Sequence, residues 1–232
     1  MSYYNIRADM RDGFSTEWDT KWKLRDTYTR YPWSKIVSYT MRFVEDTSDL
    51  RVLEIGCGPG PNIGFFLDLD AEYYGIDGSE TALEVARDRF PSVADQLIQG
   101  DFTEHLPEEE PYDLIVDRSA LTHNTTADIT KTVSMIHESL AGDGWFISVD
   151  NFADDDQRAD WKNAEKVDEY TRRFDEGYFE QKGDVHFWDR EHIEHIYDNF
   201  DIKRLYHETR EELIPDNQYN KAWYHVLARP DE

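Results

Sequence analysis

Residues 52–64 read VLEIGCGPGPNIG, a short apolar run that ends in an acidic residue and is followed by three glycines at alternate positions. The glycines are Gly56, Gly58 and Gly60. Glycine is needed where φ is positive, or where another group must approach the backbone without a Cβ in the way. Between a strand and a helix, such a turn predicts a ligand that lies against the backbone at the carboxyl end of the strand.

The spacing of these glycines differs from the dinucleotide fingerprint Gly-x-Gly-x-x-Gly. Counted from Gly56, the third glycine of that fingerprint is replaced by Pro61, and Glu54 stands just before the turn. A carboxylate so close to the turn opposes a pyrophosphate and suits a cationic ligand. The stretch favours a nucleoside ligand without a pyrophosphate, but a glycine triplet alone is weak evidence and leaves NAD open.

Apolar runs of strand length alternate with helix-like stretches through the middle of the chain. Helices are predicted over residues 79–90, with Ser79 as the N-cap, and over 128–140, followed by a turn at 141–144. The predicted strands cover residues 50–55, 72–76, 96–99, 112–116 and 145–149. This alternation predicts an α/β fold, a Rossmann-like doubly wound sheet that is mostly parallel and carries helices on both faces.

The C-terminal region does not continue this alternation of strands and helices. A helix is predicted over residues 189–200, and FDIKRLYH at 200–207 and YNKAWYHVLARP at 219–230 are strand-like runs separated by a polar segment. Two such runs in succession predict an antiparallel hairpin at the end of the domain.

Two regions do not belong to this alternation: residues 1–49, which precede the predicted domain of residues 50–232, and residues 151–187, which form an insertion within it. Residues 1–49 are rich in aromatic side chains and contain a predicted helix from Pro32 to Val44, so they are predicted to form a helical cap. Residues 151–187 are polar, with a helix-like segment to about residue 174 and then the aromatic stretch YFEQKGDVHFW. Both are expected to cover a site at the carboxyl edge of the sheet; plain packing is the alternative.

Acidic residues end the second, third and fourth predicted strands or follow them directly. Asp77 lies in YYGIDGS, Asp101 in QGDF, and Asp117 in YDLIVDRSALTHN. A carboxylate at the position of Asp77 can accept hydrogen bonds from both hydroxyls of a ribose, which fits NAD equally well. Asp101 is placed to accept from an adenine amino group. Three acids at successive strand ends predict one nucleoside site.

The segments EIGCGPG, GIDGS, QGD and YDLIVDRSALTHN, within residues 50–150, resemble the class I S-adenosylmethionine-dependent methyltransferases. The resemblance implies a sheet of seven strands whose last strand is inserted antiparallel, in agreement with the predicted hairpin. It also implies S-adenosylmethionine as the cofactor and S-adenosylhomocysteine as the product.

The resemblance further implies a role for each motif residue. The glycines would line the methionyl and ribose parts of the cofactor, Asp77 would bind the ribose, and Asp101 with Phe102 would flank the adenine. Asp117 would face the methionine moiety or the acceptor. The predicted cofactor-binding residues are Glu54, Gly56, Gly58, Gly60, Asp77, Gly78, Asp101, Phe102 and Asp117.

The predicted catalytic residues are His123 and Asp117. His123 lies in DRSALTHN, after the strand that the resemblance places beside the reactive methyl group. An imidazole titrates near neutral pH, as a general base should, although His123 could equally fix the loop by hydrogen bonding. His192 and His195 share a helix face, but no cysteine or acid completes a metal site around them, so they are expected to be solvated and no metal is expected.

Charge and composition restrict the class of partner. The chain has 232 residues, with 50 acidic and 25 basic residues and a formal net charge of -25. Such a charge repels nucleic acid and anionic membranes. No apolar run approaches the ~20 residues of a membrane helix or resembles a signal peptide. We expect a cytoplasmic protein with a small-molecule acceptor. The acid excess indicates either adaptation to high salt or an ordinary acidic protein.

The function predicted from the sequence is methyl transfer from S-adenosylmethionine to an oxygen or nitrogen atom of a small molecule. DNA-directed relatives carry an Asn/Asp-Pro-Pro-aromatic motif after the fourth strand, where this chain has DRSA. The alternatives are a nicotinamide-dependent oxidoreductase and a non-catalytic S-adenosylmethionine-binding protein. The sequence leaves the oligomeric state open.

Overall fold

The computed structural model describes residues 16–23, 29–107, 110–214 and 216–231, which form one large sheet, one small sheet and six α-helices. The helices are α1 (Thr16–Lys23), α2 (Ser34–Phe43), α3 (Ile63–Leu67), α4 (Glu80–Arg89), α5 (Thr126–Ser139) and α6 (Arg190–Ile196). The strands are β1 (Arg51–Ile55), β2 (Glu72–Asp77), β3 (Leu97–Gln99), β4 (Tyr112–Arg118), β5 (Leu140–Phe152), β6 (Glu165–Lys166), β7 (Thr171–Arg173), β8 (Asp184–His186), β9 (Phe200–Leu213) and β10 (Asp216–Pro230).

The large sheet has seven strands in the order β3-β2-β1-β4-β5-β10-β9. The pairs from β3 to β5 are parallel, and β10 runs antiparallel to both of its neighbours. This confirms the predicted fold class and the antiparallel strand of the C-terminal hairpin. The strand order reverses between β1 and β4, and ligands of open α/β sheets bind in the crevice at such a reversal.

The core lies on both faces of the sheet, as expected for parallel strands covered by helices. In β1, Leu53 and Ile55 belong to one buried cluster, which includes Ile129, Val133 and Ile136 of α5. Val52 points the other way, into a second cluster with residues of α3 and α4. The alternation along β1 therefore fixes which helix packs on each face.

The predicted N-cap Ser79 is confirmed, and both predicted helices begin close to the expected positions. Ser79 caps α4, where its side chain accepts a hydrogen bond from the backbone N–H of Ala82 at 3.2 Å. Thr125 caps α5 in the same way and moves its start slightly ahead of the predicted residue 128. Side-chain capping of exposed N–H groups is the reason that these helices begin where they do.

The helix expected in the first part of residues 151–187 is wrong. The region forms a three-stranded sheet, β6-β7-β8, over a small apolar cluster with Phe174, Phe179 and Phe187. Asp168 accepts hydrogen bonds from the backbone N–H groups of Tyr170 and Thr171 at 2.9 and 2.8 Å. Aspartate side chains that bind their own backbone favour turns over helix, and this outweighs the helical spacing.

The turn expected at residues 141–144 lies inside β5, where the pairing with β4 shifts register between Tyr112 and Leu114. A Cβ on Gly144 would lie 3.0 Å from the carbonyl oxygens of Ala141 and Tyr112. The glycine therefore serves a close backbone approach within the strand rather than a turn.

The N-terminal region is described in part, because residues 1–15 and 24–28 of the predicted cap lie outside the described residues. α2 packs Ile36 into the same buried cluster as Val52, with Val44 just past its end, so it shares the core of the sheet. Among the helices that the structure describes, none is long and apolar enough to cross a membrane.

Candidate functional site

A cavity of about 630 Å³ opens at the carboxyl edge of the sheet, beside the glycine turn that follows β1. It is lined by most of the residues that the sequence singles out, namely Glu54, Gly56, Gly58, Asp77, Gly78, Asp101, Phe102 and His123. Gly60 and Asp117 are not among the lining residues. The ends of several strands thus bring residues far apart in sequence into one site.

The glycine turn needs glycine for two separate reasons. Gly56 has a φ of 62°, and a Cβ there would lie 2.3 Å from the Cβ of Ala120. Gly58 has a φ of 53°, and its Cβ would lie 3.3 Å from the indole of Trp22. Gly60 also has a positive φ, but its missing Cβ makes room for Ile63 at 2.4 Å. Gly60 therefore has a packing role in the structure, and contact with the cofactor stays a prediction for this residue.

Asp77 joins the end of β2 to the glycine turn. Its carboxylate accepts a hydrogen bond from the N–H of Gly58 at 2.9 Å and from the N–H of Ser79 at 2.8 Å. Burial raises the pKa of Asp77 to about 6, and the two N–H donors oppose that rise. Because each carboxylate oxygen has two acceptor sites, both can still accept from a ligand hydroxyl.

Asp101 offers an acceptor that no described protein group uses. Its Oδ1 accepts from the N–H and the hydroxyl of Thr103, at 2.9 and 2.6 Å. Its Oδ2 is buried and has no hydrogen-bond partner within the described part of the chain. An unpaired buried acceptor costs about 1–3 kcal/mol, so a ligand with an N–H donor would relieve that cost. Phe102 lines the cavity next to it.

Glu54 forms the inner wall behind the turn. Its two oxygens accept hydrogen bonds from the amide of Asn62 at 2.8 Å and from the hydroxyl of Tyr73 at 2.7 Å. Asn62 in turn accepts from the backbone N–H of Trp33 at 2.9 Å. Burial raises the pKa of Glu54 to about 7. Glu54 therefore also ties β1 to the start of α2.

Asp117 is buried at the end of β4 and does not reach the cavity. It accepts from the N–H groups of Ala120 and Leu121 at 2.8 and 3.3 Å and from the hydroxyl of Ser148 at 2.6 Å. Burial raises its pKa to about 6. This geometry gives Asp117 a structural role: it holds Ala120 against Gly56. The roles predicted for it in catalysis and cofactor binding have no support in this arrangement.

His123 lines the cavity from the short 3₁₀ helix Leu121–His123, which follows β4. Its Nδ1 lies 3.3 Å from the carbonyl oxygen of Asp184, and its ring meets Trp18 edge-on with centroids 4.7 Å apart. Burial, and next the positive charge of Lys182, lowers the pKa of His123 to about 3. The imidazole is therefore neutral at pH 7.

α1 covers the cavity from above. Trp18 and Trp22 line it, and their rings lie 6.0 Å apart. Asp19 accepts a hydrogen bond from the hydroxyl of Ser79 at 2.8 Å, which fixes α1 to the start of α4. Three aromatic residues of the predicted cap, Trp18, Trp22 and Trp33, thus line the cavity. Tyr28 lies outside the described residues.

The cavity also contains basic side chains that were not predicted from the sequence. Arg118 stacks on Trp33 at 3.7 Å, and its Nε donates to Asp150 at 3.0 Å. The other basic lining residues are Lys21, Lys35, Lys182 and Arg210. Two sequence features could have indicated basic residues at the site. Arg118 lies at the carboxyl end of β4, and Lys182 is the one Lys or Arg residue in the aromatic stretch YFEQKGDVHFW.

The remaining histidines do not form a metal site. His192 is buried, which corrects the expectation that it is solvated, whereas His195 is exposed. The Nε2 atoms of His192 and His186 lie 3.0 Å apart, and His192 stacks on Tyr170 with ring centroids 3.6 Å apart. The described residues contain no group of three potential ligands placed to hold a metal ion.

Residues 52–144 match a family model described as a methyltransferase domain. An uncharacterized methyltransferase of Bacillus subtilis is 30% identical over 119 residues, which are 50% of this chain and 46% of the relative. One of Oceanobacillus iheyensis is 29% identical over 104 residues, or 45% of this chain and 47% of the relative. The chain spans about half the length of the curated relatives it matches.

Solved structures share the fold at low identity. A methyltransferase of Streptomyces caelestis has a TM-score of 0.65 at 14% identity and covers 94% of this chain and 99% of its own. An S-adenosylmethionine-dependent methyltransferase of Clostridium acetobutylicum has a TM-score of 0.60 at 18% identity. The match covers 90% of this chain and 95% of that protein. A phosphoethanolamine N-methyltransferase of Haemonchus contortus has a TM-score of 0.65 at 17% identity. The match covers 93% of this chain and 57% of that protein, whose structure is a complex with phosphomonomethylethanolamine and S-adenosylhomocysteine.

Proposed function

We propose that the protein transfers a methyl group from S-adenosylmethionine to a small molecule, because residues 52–144 match the methyltransferase domain model, whose cofactor is S-adenosylmethionine. The family and its cofactor are those that the sequence predicts. The acceptor atom in this proposal is an oxygen or a nitrogen.

One observation carries the proposal: the glycine turn and the side chains of Asp77 and Asp101 line one cavity, and Oδ2 of Asp101 is buried without a hydrogen-bond partner in the described part of the chain. These groups suit a nucleoside, with the adenine amino group donating to Asp101 and the ribose hydroxyls donating to Asp77. The sugar and the methionyl part would lie beside Gly56 and Gly58, which line the cavity. Pro61 and Glu54 offer nothing to a pyrophosphate, so NAD fits this cavity less well.

The chain's own part in the reaction is to position the reactants and to exclude water. The sulfonium supplies an activated methyl group when the cofactor is bound. Proximity and orientation can contribute on the order of 7–11 kcal/mol, so the walls of the cavity can account for most of the rate. A positioned base adds roughly a hundredfold or more.

We keep His123 as the candidate base, the role expected from the sequence. Its imidazole is neutral at pH 7 and can accept a proton. Because its pKa is lowered to about 3, the protonated form is costly, and a base of this kind contributes less than one with a pKa near 7. In this proposal, positioning therefore carries more of the rate than proton transfer.

The acceptor side is formed by α1 and by the insertion of residues 151–187, both of which we propose act as a cap. Trp18 comes from α1. The insertion supplies Phe152, which is the last residue of β5, and also Tyr178 and Lys182, which lie between β7 and β8. A cavity of about 630 Å³ is within the size range of small-molecule sites. The net charge of -25 also opposes a nucleic-acid acceptor.

Thermal melting with added ligands tests the cofactor part of the proposal. At about 100 times its Kd, a ligand that binds only the folded state adds about 2.7 kcal/mol of stability. We expect S-adenosylhomocysteine to raise the Tm by roughly 5–10 °C for a chain of this length, and NADH at the same concentration to leave it unchanged. A larger rise with NADH would favour an oxidoreductase and contradict the proposal.

Transfer of label tests the acceptor part. The protein would be incubated with S-adenosylmethionine labelled in the methyl group and with the dialysable fraction of a cell extract. We expect label in molecules that pass the dialysis membrane, and none in added DNA or RNA. Label in nucleic acid alone would contradict a small-molecule acceptor, and S-adenosylhomocysteine binding without any transfer would indicate a non-catalytic binding protein.

A further inference from the structure

The cavity has a charge balance unlike that of the chain. The whole sequence has two acidic residues for every basic one, 50 against 25. Five acidic and five basic residues line the cavity, namely Glu54, Asp77, Asp101, Asp150 and Glu208, and Lys21, Lys35, Arg118, Lys182 and Arg210. Basic side chains are therefore concentrated at this site in a chain that is otherwise strongly acidic.

Only two of the five basic residues that line the cavity form ion pairs with its acidic residues. Lys35 lies 2.9 Å from Glu208 and 3.5 Å from Asp150, and Arg118 lies 3.0 Å from Asp150. The other three acids, which line the proposed cofactor end, accept hydrogen bonds from protein N–H and O–H donors. Each carboxylate of the cavity thus already has at least one protein partner, although Oδ2 of Asp101 has none.

Three basic residues of the cavity form no ion pair with the described side chains, although the charge of Glu180 acts on Lys21 and that of Asp156 acts on Lys182 from farther away. Among the side chains that the structure describes, Lys21, Lys182 and Arg210 have no carboxylate within 4.0 Å. They come from α1, from the loop before β8 and from β9, so they converge from three separate elements. Arg210 is exposed at the rim, whereas the two lysines are partly buried.

Lys182 is the most confined of these cations. Its ammonium lies 3.5 Å from the ring centroid of Tyr178 and 5.1 Å from that of Phe179. Burial, and next the charges of Lys21 and Arg158, lowers the pKa of Lys182 to about 7. Contact with an aromatic ring is worth about 0.5–2 kcal/mol, so it offsets only part of the cost of burial and repulsion. A bound anion would offset the rest.

Lys182 belongs to the acceptor side of the cavity and not to the cofactor end. It lies in the 151–187 insertion, beside the rings of Tyr178 and Phe152, whereas Asp77 and Asp101 follow β2 and β3 on the other arm of the sheet. Aromatic residues on the acceptor side offer flat apolar walls, and they include Trp18, Phe152, Tyr178 and Trp223.

We propose that the methyl acceptor is an aromatic molecule with an anionic group, a carboxylate or a phosphate, that pairs with Lys182 and Lys21. This inference rests on the proposed function, because it identifies the acceptor side by the position of the cofactor. The aromatic walls would hold the ring, and the two ammonium groups would hold the anion. No other part of the described cavity offers unpaired cations beside aromatic rings.

Calorimetric titration of the full chain saturated with S-adenosylhomocysteine tests the inference. The probes are benzoate, phenyl phosphate and the neutral benzamide. We expect at least one of the two anions to bind about tenfold or more tightly than benzamide. Lys182→Met should abolish that preference and Lys21→Met should reduce it. Lys166→Met, a change at an exposed lysine in β6 of the same insertion, is the matched control and should retain it.

Each contrary result overturns the inference. Equal binding of benzamide and both anions would do so, as would the absence of any anion binding tighter than about 10 mM. If Lys166→Met lost the preference for anions to the same extent, the effect would come from the net charge of the protein and not from a site at Lys182. Should Lys182→Met fail to melt cooperatively, Lys21→Met decides in its place.

The cofactor has a carboxylate of its own, so the Kd of S-adenosylhomocysteine is measured for the same variants. We expect Lys182→Met to leave it unchanged. A tenfold weaker Kd with intact anion preference would mean that Lys182 holds the cofactor carboxylate, against the inference. A wild-type protein that fails to bind S-adenosylhomocysteine refutes the proposed function instead, and titration of the free protein with the same probes still tests the anion site.

Discussion

Replacement of Asp77 by asparagine should separate cofactor binding from folding stability. The asparagine keeps one acceptor oxygen, so one of the N–H groups of Gly58 and Ser79 loses its partner, at a cost of about 1–3 kcal/mol. The change also removes a buried charge. The pKa of Asp77 is raised from 3.8 to about 6, so its ionisation at pH 8 costs the folded state on the order of 3 kcal/mol. The two effects oppose each other, and we expect little net change in the stability of the free protein.

Cofactor binding should respond differently to the same change. Hydrogen bonds from a ligand to a charged group are worth about 1.5–3 kcal/mol, so Asp77→Asn should weaken S-adenosylhomocysteine binding roughly 10- to 100-fold. Isothermal titration gives the Kd, and denaturant unfolding gives the stability.

Asp113→Asn is the matched control, because Asp113 also accepts a hydrogen bond from a backbone N–H, that of Arg51 at 2.8 Å, near the start of β1 and away from the cavity. This control should leave the Kd unchanged. An unchanged Kd in a folded Asp77→Asn protein would refute the placement of the ribose.

Three further predictions concern folding. Burial raises the pKa of Glu54 from 4.5 to about 7, so its stabilising protonated form is fully present below about pH 4.5 and is lost as the pH rises through about 7. Denaturant unfolding should therefore lose up to about 3 kcal/mol between pH 5 and 8 from this group, and Glu54→Gln should remove that slope; an equal slope in the variant would be inconsistent with the shift. Gly56→Ala should cost about 2–5 kcal/mol through positive φ and the contact with Ala120, whereas Gly142→Ala, with nothing within 4 Å, should change stability by less than about 0.5 kcal/mol; equal losses would refute this reasoning. If the acid excess is a salt adaptation, the Tm should climb between low and molar KCl as the Debye length falls to ~3 Å, and a flat response would return the composition to that of an ordinary acidic protein.

The sheet and the cofactor end of the site could be predicted because their signals are local. Apolar runs mark buried parallel strands wherever they occur, and the residues that follow such strands meet at one edge. Gly56, Asp77 and Asp101 therefore reach the same cavity without any knowledge of the loops. Ser79 predicted the start of α4 for a similar reason, since a helix cap acts within three residues.

The acceptor side could not be predicted, because long-range contacts build it. Lys182 reaches the cavity only because residues 151–187 fold as a small sheet, which the aspartate turns decide and helical spacing does not reveal. Asp117 shows a second limit: its position at a strand end predicts a ligand contact, yet nearby N–H groups and the hydroxyl of Ser148 donate to its carboxylate in the structure. Sequence position alone does not tell whether an acid faces a cavity or the protein.

A crystal structure of the complex with S-adenosylhomocysteine tests the central claim most directly. We predict the ribose hydroxyls within about 2.6–3.2 Å of the Asp77 carboxylate, and the adenine amino group at the same range from Oδ2 of Asp101. The sulfur should point toward the side of the cavity lined by Trp18 and Lys182. A nucleoside bound elsewhere, or one that leaves Oδ2 of Asp101 without a donor, would contradict the account.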